Sequence, residues 1–241
     1  MSPVAARLLA VLLTAGAVVL GYAYVTLSQG GGDDVAGGGP VAEVPRGAHP
    51  GEQLLRNPLP NPAATGVHGA LLDEPIPRPA FTLTDTDGEP FAFAEATAGR
   101  PTLLYFGYTS CPDICPAHLA RIAAAMREAD LDGDDLTVVF VTADPARDDP
   151  ARLAAYLAAF DTDFVGLTGS SEKVAAALAA VGQPAPRIFD EREDGAYEVS
   201  HPSQVIAFTP DDRAHVVFPF GTSQEGWVAD LPRLVQGDLP S

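Results

Sequence analysis

The two cysteines of this 241-residue chain stand four apart, in Cys111-Pro112-Asp113-Ile114-Cys115. On a helix that spacing puts both side chains on one face, with Cβ atoms about 5–6 Å apart. Two sulfurs so placed can close on one soft metal ion, or join as a disulfide with little backbone movement. A strand-like run, Thr102 to Phe106, and a loop, Gly107 to Ser110, lead into the pair. Ala117 to Ala129 follows with helical spacing in Leu119, Ile122 and Met126. The thiols are therefore expected at a strand-to-helix junction, where unpaired N–H groups and the helix dipole favour thiolate over thiol. The motif has one residue more than the C-x-x-C redox spacing. A structural zinc site wants four Cys or His ligands, and only two cysteines and five histidines are present. A single structural disulfide is the plain alternative, although such bridges usually close longer loops.

Two sulfurs holding Cu(I) commonly take a third donor such as imidazole. His118 lies seven after Cys111, on the same helical face but about 10 Å along the axis, too far for one ion to reach all three. His215 follows a turn and starts a strand, a solvent-facing position. His201 directly precedes Pro202 and a strand running to Thr209. By analogy with thioredoxin-type folds, the loop entering that strand faces the cysteine turn, which makes His201 the candidate; a plain surface histidine is the alternative. His49 and His68 fall in Gly/Pro-rich sequence and carry no expected role.

These residues must be held by a domain. Phe81 to Thr84 and Phe91 to Phe93 suit a hairpin around Asp85-Thr86-Asp87-Gly88. Pro101 to Phe106 and Leu136 to Thr142 read as buried strands. Asp149-Pro150 caps a helix reaching Phe160, and Ser170 caps another reaching Val181. Phe164 to Leu167 is a short strand. Val205 to Thr209 and His215 to Phe218 flank a turn, and Ser223 to Val235 closes as a helix. This alternation predicts an α/β fold, thioredoxin-like, with a central mixed sheet flanked by helices. Sites in such sheets form at the C-terminal ends of strands, where Cys111 and Cys115 fall.

Three regions are expected: an anchor (1–27), a flexible Gly/Pro-rich linker (28–75) and the globular head (76–241). Leu8 to Leu27 holds no charge over 20 residues, enough to cross a bilayer as a helix. Arg7 precedes it and Asp33 and Asp34 follow, which places the N-terminus inside and the head on the extracytoplasmic side of a bacterial-type cytoplasmic membrane. A cleaved signal peptide is the competitor, with a shorter apolar run as its usual mark. All 32 acidic residues and all but one of the 14 basic residues lie beyond Leu27. A head this acidic argues against nucleic acid and against anionic lipid surfaces as partners.

The stretch Leu104-Tyr105-Phe106-Gly107-Tyr108-Thr109-Ser110-Cys111-Pro112-Asp113-Ile114-Cys115-Pro116 resembles the signature of the Sco/SenC family of copper-binding, thioredoxin-like proteins. The resemblance continues through Val141 to Phe160, Gly166 to Gly169, His201, and Phe218 to Ser223. It implies one copper, as Cu(I) or Cu(II), held by Cys111, Cys115 and His201. It also implies a role in assembling the binuclear copper centre of cytochrome c oxidase subunit II. That role is either copper delivery, in exchange with other periplasmic copper carriers, or reduction of the target's cysteine pair by Cys111 and Cys115. A thiol–disulfide oxidoreductase or redox sensor is the alternative function. Asp144 matches a recurrent acidic position of the family, for which a turn and helix entry is the simpler reading. Two departures stand out. Ser200 replaces the Asp that usually precedes the histidine, so if that Asp orients the ring, the orientation is either lost or supplied by Ser200 Oγ. Pro202 follows the histidine and is open to a cis bond.

Overall fold

The computed structural model describes residues 60–239. The expected anchor, most of the expected linker and His49 lie outside them. No helix among the described residues is long and apolar enough to cross a membrane. The elements run α1 (Pro62–Thr65), β1 (Ala70–Pro77), β2 (Thr82–Thr84), β3 (Pro90–Ala92), α2 (Phe93–Ala96), β4 (Thr102–Gly107) and α3 (Ile114–Glu128). Then come β5 (Thr137–Thr142), α4 (Pro150–Leu157), β6 (Val165–Leu167), α5 (Ser171–Ala180), β7 (Arg187–Phe189), β8 (Glu198–Ser200), β9 (Val205–Phe208), β10 (Arg213–Phe218) and α6 (Gln224–Gln236).

The main sheet has six strands in the order β1-β10-β9-β4-β5-β6. β4 runs parallel to β5, in register from Thr102 opposite Thr137 to Gly107 opposite Thr142. β6 extends the parallel half, and β9, β10 and β1 build the antiparallel half. β4 is buried along its whole length because its two faces feed two cores. Leu103 and Tyr105 point to one face with Val138 and Phe140, where α3, α4 and α6 cover them. Leu104 and Phe106 point to the other with Val139 and Val141, beneath Val174, Ala177 and Leu178 of α5. The period of two along each strand thus yields a mixed sheet covered on both faces.

Caps fall where the sequence puts them. Asp149, Ser170 and Ser223 each accept from a backbone N–H three residues on, at the starts of α4, α5 and α6. The helix after the cysteines begins at Ile114 rather than Ala117, so Cys115 lies in its first turn and Cys111 just outside it.

The expected linker end at residue 75 is corrected. Residues 60–75 contribute α1 and most of β1, which pairs with β10 and buries Val67, Ala70 and Leu72. His68, which carried no expected role, ties this segment down. Its backbone N–H donates to Asp230 Oδ2 at 2.6 Å, as does that of Gly69 at 3.0 Å, and its Nδ1 lies 3.1 Å from Oδ1. Asp230 is fully buried on α6, so these bonds compensate a carboxylate taken out of water. His215 pairs with Asp211 at 2.8 Å rather than facing open solvent.

The β7–β8 hairpin has no counterpart among the expected elements. It pairs only with itself, apart from the main sheet, and every residue of β7 is exposed.

Candidate metal centre

β4 ends at Gly107, and the chain turns through Tyr108, Thr109 and Ser110 to Cys111. Gly107 is required there. A Cβ at this position would sit 2.6 Å from Cys115 Sγ and 2.7 Å from the Phe140 ring. Asp148 holds the turn. Its carboxylate is fully buried and accepts from Thr109 N at 2.9 Å, Thr109 Oγ1 at 2.5 Å and Thr142 Oγ1 at 2.7 Å. Arg152 stands 3.5 Å from it. Four compensating groups make a buried carboxylate tolerable, and they fix the approach to Cys111.

Both cysteines are free thiols of unequal environment. Cys115 has no exposed surface and packs in the core, where the Tyr105 hydroxyl donates to its Sγ at 3.4 Å. Cys111 keeps 9% of its surface and accepts from the Cys115 N–H at 3.5 Å, at the start of α3. The Cys111 thiol is pushed far below its ordinary range, first by the hydrogen bond from Cys115, with the N–H groups of Cys115 and Asp113 adding to it against burial. The Cys115 thiol is pushed up, first by burial and then by its hydrogen bond to Cys111. The pair thus behaves as one thiolate, on Cys111, bonded by a proton that Cys115 keeps.

His201 joins them from the β8–β9 loop. Its Nε2 lies 3.5 Å from Cys115 Sγ. Its Nδ1 donates to the Pro202 carbonyl at 2.9 Å, which leaves Nε2 as the lone-pair nitrogen facing the sulfurs. Tyr105 and Tyr108 meet the ring edge-on at 6.3 and 5.5 Å between centroids. Ser200 does not orient the imidazole, because its Oγ accepts from Arg187 N–H at 3.0 Å within the hairpin. The backbone does that work instead, and the peptide bond to Pro202 is trans.

One donor atom from each of Cys111, Cys115 and His201 lies within 4.8 Å of the other two. Donors about 2.2 Å from a shared three-coordinate ion stand about 3.8 Å apart, so small adjustments suffice to close this set on a metal. Two thiol sulfurs and one imidazole select a soft ion, Cu(I) above all. A cavity of about 380 Å³ opens onto Cys111 and His201, with Phe189 and Glu198 of the hairpin at its edge.

The other sequence candidates lie apart from this set. His118 is fully buried in an aromatic nest of Tyr105, Phe220 and Trp227. Neither of its ring nitrogens has a hydrogen-bond partner; the Pro219 carbonyl faces it without meeting that geometry. Asp144 is buried and bonds Arg147 and the Tyr197 hydroxyl. Sequence reasoning missed Tyr108, Arg147 and Asp148. The signal available was two carboxylates four apart with an arginine between them, Asp144 to Asp148, next to a strand end.

A family model described as SCO1/SenC matches residues 72–236. This chain belongs to the SCO1/SenC family. Among its relatives is a Stutzerimonas stutzeri protein named for copper binding, 32% identical over 188 residues, 73% of this chain and 90% of that one. The structure resembles copper-bound ScoI of Bradyrhizobium japonicum, with a TM-score of 0.58 and 32% identity over 66% of this chain and 99% of that one. It also resembles apo Sco1 of Thermus thermophilus, with a TM-score of 0.60 and 29% identity over 71% and 99%. Copper is bound in the solved ScoI structures of both Bradyrhizobium japonicum and Arabidopsis thaliana. Copper is therefore the metal that the family and this donor set both call for.

Proposed function

We propose that this SCO1/SenC protein binds one copper through Cys111 Sγ, Cys115 Sγ and His201 Nε2, and serves assembly of the copper centre in cytochrome c oxidase subunit II. The observation that supports this reading most is the convergence of three soft or borderline donors, from a turn, a helix and a loop, within 4.8 Å. The sulfurs supply most of the Cu(I) affinity, and the imidazole matters more to Cu(II). The run Leu8 to Leu27 is assigned to an uncleaved membrane anchor with the head on the extracytoplasmic side, where such an oxidase domain is accessible. The test is a titration of reduced protein with Cu(I) against a competing chelator. One copper should bind, with near-complete loss in Cys111→Ser and in Cys115→Ser. His201→Ala should weaken binding and leave formation of the Cys111–Cys115 disulfide nearly intact, since that bond needs only sulfur. Parent-like copper binding by both serine variants would end this reading.

The unequal thiols favour a second reading, as a thiol–disulfide reductant. The Cys111 thiolate would attack a disulfide of the target, and the first sulfur to leave would take up a proton. Cys115, losing its proton, would then displace the target's second thiol, leaving a reduced target and a Cys111–Cys115 disulfide here. Fast exchange with a model disulfide together with weak copper binding would favour this reading over delivery.

A further inference from the structure

The arm that carries His201 is not part of the main sheet. β8 ends at Ser200, immediately before His201, and pairs only with β7. A two-stranded hairpin by itself is marginally stable in water. Something else must keep His201 near the sulfurs.

Residues 143–149, the turn between β5 and α4, hold the two arms of the site from one place. Asp148 bonds Thr109, two residues before Cys111. Asp144, on the other side, accepts from Arg147 Nε and, through Oδ1, from the Tyr197 hydroxyl at 3.1 Å. Arg147 Nη1 donates to the Tyr197 carbonyl at 3.1 Å. The guanidinium lies 3.6 Å from the centroid of the Tyr197 ring and 5.9 Å from that of Tyr108. Tyr197 directly precedes β8, and Tyr108 packs edge-on against the His201 ring. The contact therefore combines a part-buried ion pair, a backbone hydrogen bond and a cation–π stack at the root of the His201 arm.

We infer that Arg147, held by Asp144, is a positioning residue that sets the distance of His201 from Cys111 and Cys115 by pinning Tyr197 to the turn that also fixes the cysteine loop. The inference rests on the reading of His201 as a copper donor, and it assigns metal affinity to a residue that touches no metal. Arginine suits the task because its planar fork bonds a carboxylate and a carbonyl at once while stacking on a ring; lysine cannot do all three.

The test uses Arg147→Lys, which keeps a cation beside Asp144 and gives up the carbonyl bond and the stack. Two measurements are made on the reduced protein. In the metal-free form, amide hydrogen exchange across residues 187–201 should accelerate, with helix α3 unchanged. In copper competition, affinity should fall by about 10-fold or more, within the range typical of residues that orient a ligand. In a His201→Ala background the same change should cost less than about two-fold, because there is no donor left to place. Tyr197→Leu, which leaves the Asp144–Arg147 pair in place, should reproduce the pattern. Unaltered exchange, unaltered affinity, or an equal loss in both backgrounds would overturn the inference. A parent that bound no copper would refute the copper reading instead, and the exchange comparison would still decide whether Arg147 holds the arm.

Discussion

Replacing His118 by leucine should remove a defined part of this protein's acid sensitivity. His118 is fully buried with both ring nitrogens unpartnered, so the folded state resists its protonation. Burial pushes it down to about 4, with the Arg121 charge acting in the same direction. The unfolded chain offers an ordinary imidazole near 6.5. Below 6.5 the unfolded state binds a proton that the folded state refuses, so stability falls as pH falls, until about 4. From pH 7 to pH 5 that linkage amounts to about 2 kcal/mol. Cys111 adds a slope of the same sign, because its folded value is also depressed, but that slope is common to parent and variant. The assay is urea unfolding of reduced, metal-free protein at the two pH values. With a slope of about 2 kcal/mol per molar urea, the parent should lose about 1 M more in midpoint than His118→Leu does. At pH 7 the variant should lie within about 1 kcal/mol of the parent, since leucine has similar volume and leaves no polar atom unsatisfied. A parent-minus-variant difference that stays flat from pH 7 to pH 5 would refute the argument.

Three further outcomes are expected. Ser200→Asp should leave Cu(I) and Cu(II) affinities within about two-fold of the parent, because Ser200 faces the Arg187 amide and Pro202 orients the imidazole; competition titrations in both oxidation states check this. Gly107→Ala should cost about 1–3 kcal/mol in denaturant unfolding and also weaken copper binding, because the new methyl overlaps Cys115 Sγ and Phe140. External protease acting on membranes should cut between Ser28 and Pro58 and release a head that retains β1, leaving a stub that high salt does not extract.

What could be read from the sequence followed from where burial imposes a pattern. β4 and β5 are continuous apolar runs because both faces are covered, and Asp149, Ser170 and Ser223 announce helices by local hydrogen bonding that needs no tertiary context. β1 escaped notice because Asp73, Glu74 and Pro75 interrupt it, and its pairing with β10 shifts register between Leu71 and Ile76. The β7–β8 hairpin escaped for a different reason: Arg187, Ile188 and Phe189 are all exposed, so no alternation marks it. The cysteines were evident from spacing alone. His201 was not, because 86 residues separate it from Cys115, and an analogy of fold and the family resemblance, rather than spacing, linked the two. The Pro202 carbonyl as orienting group could not be read at all, since main-chain direction in a loop leaves no trace in residue type.

The contrast between a rim sulfur and a core sulfur gives the centre an inside and an outside. Cys111 and His201 border the open cavity, whereas Cys115 is sealed beneath Tyr105 and the first turn of α3. On the proposed copper reading, an incoming donor would meet the metal from the Cys111 and His201 side, and Cys115 would be the last grip to be released. Exchange at such a centre would be ordered by access, with entry and exit both on the cavity side.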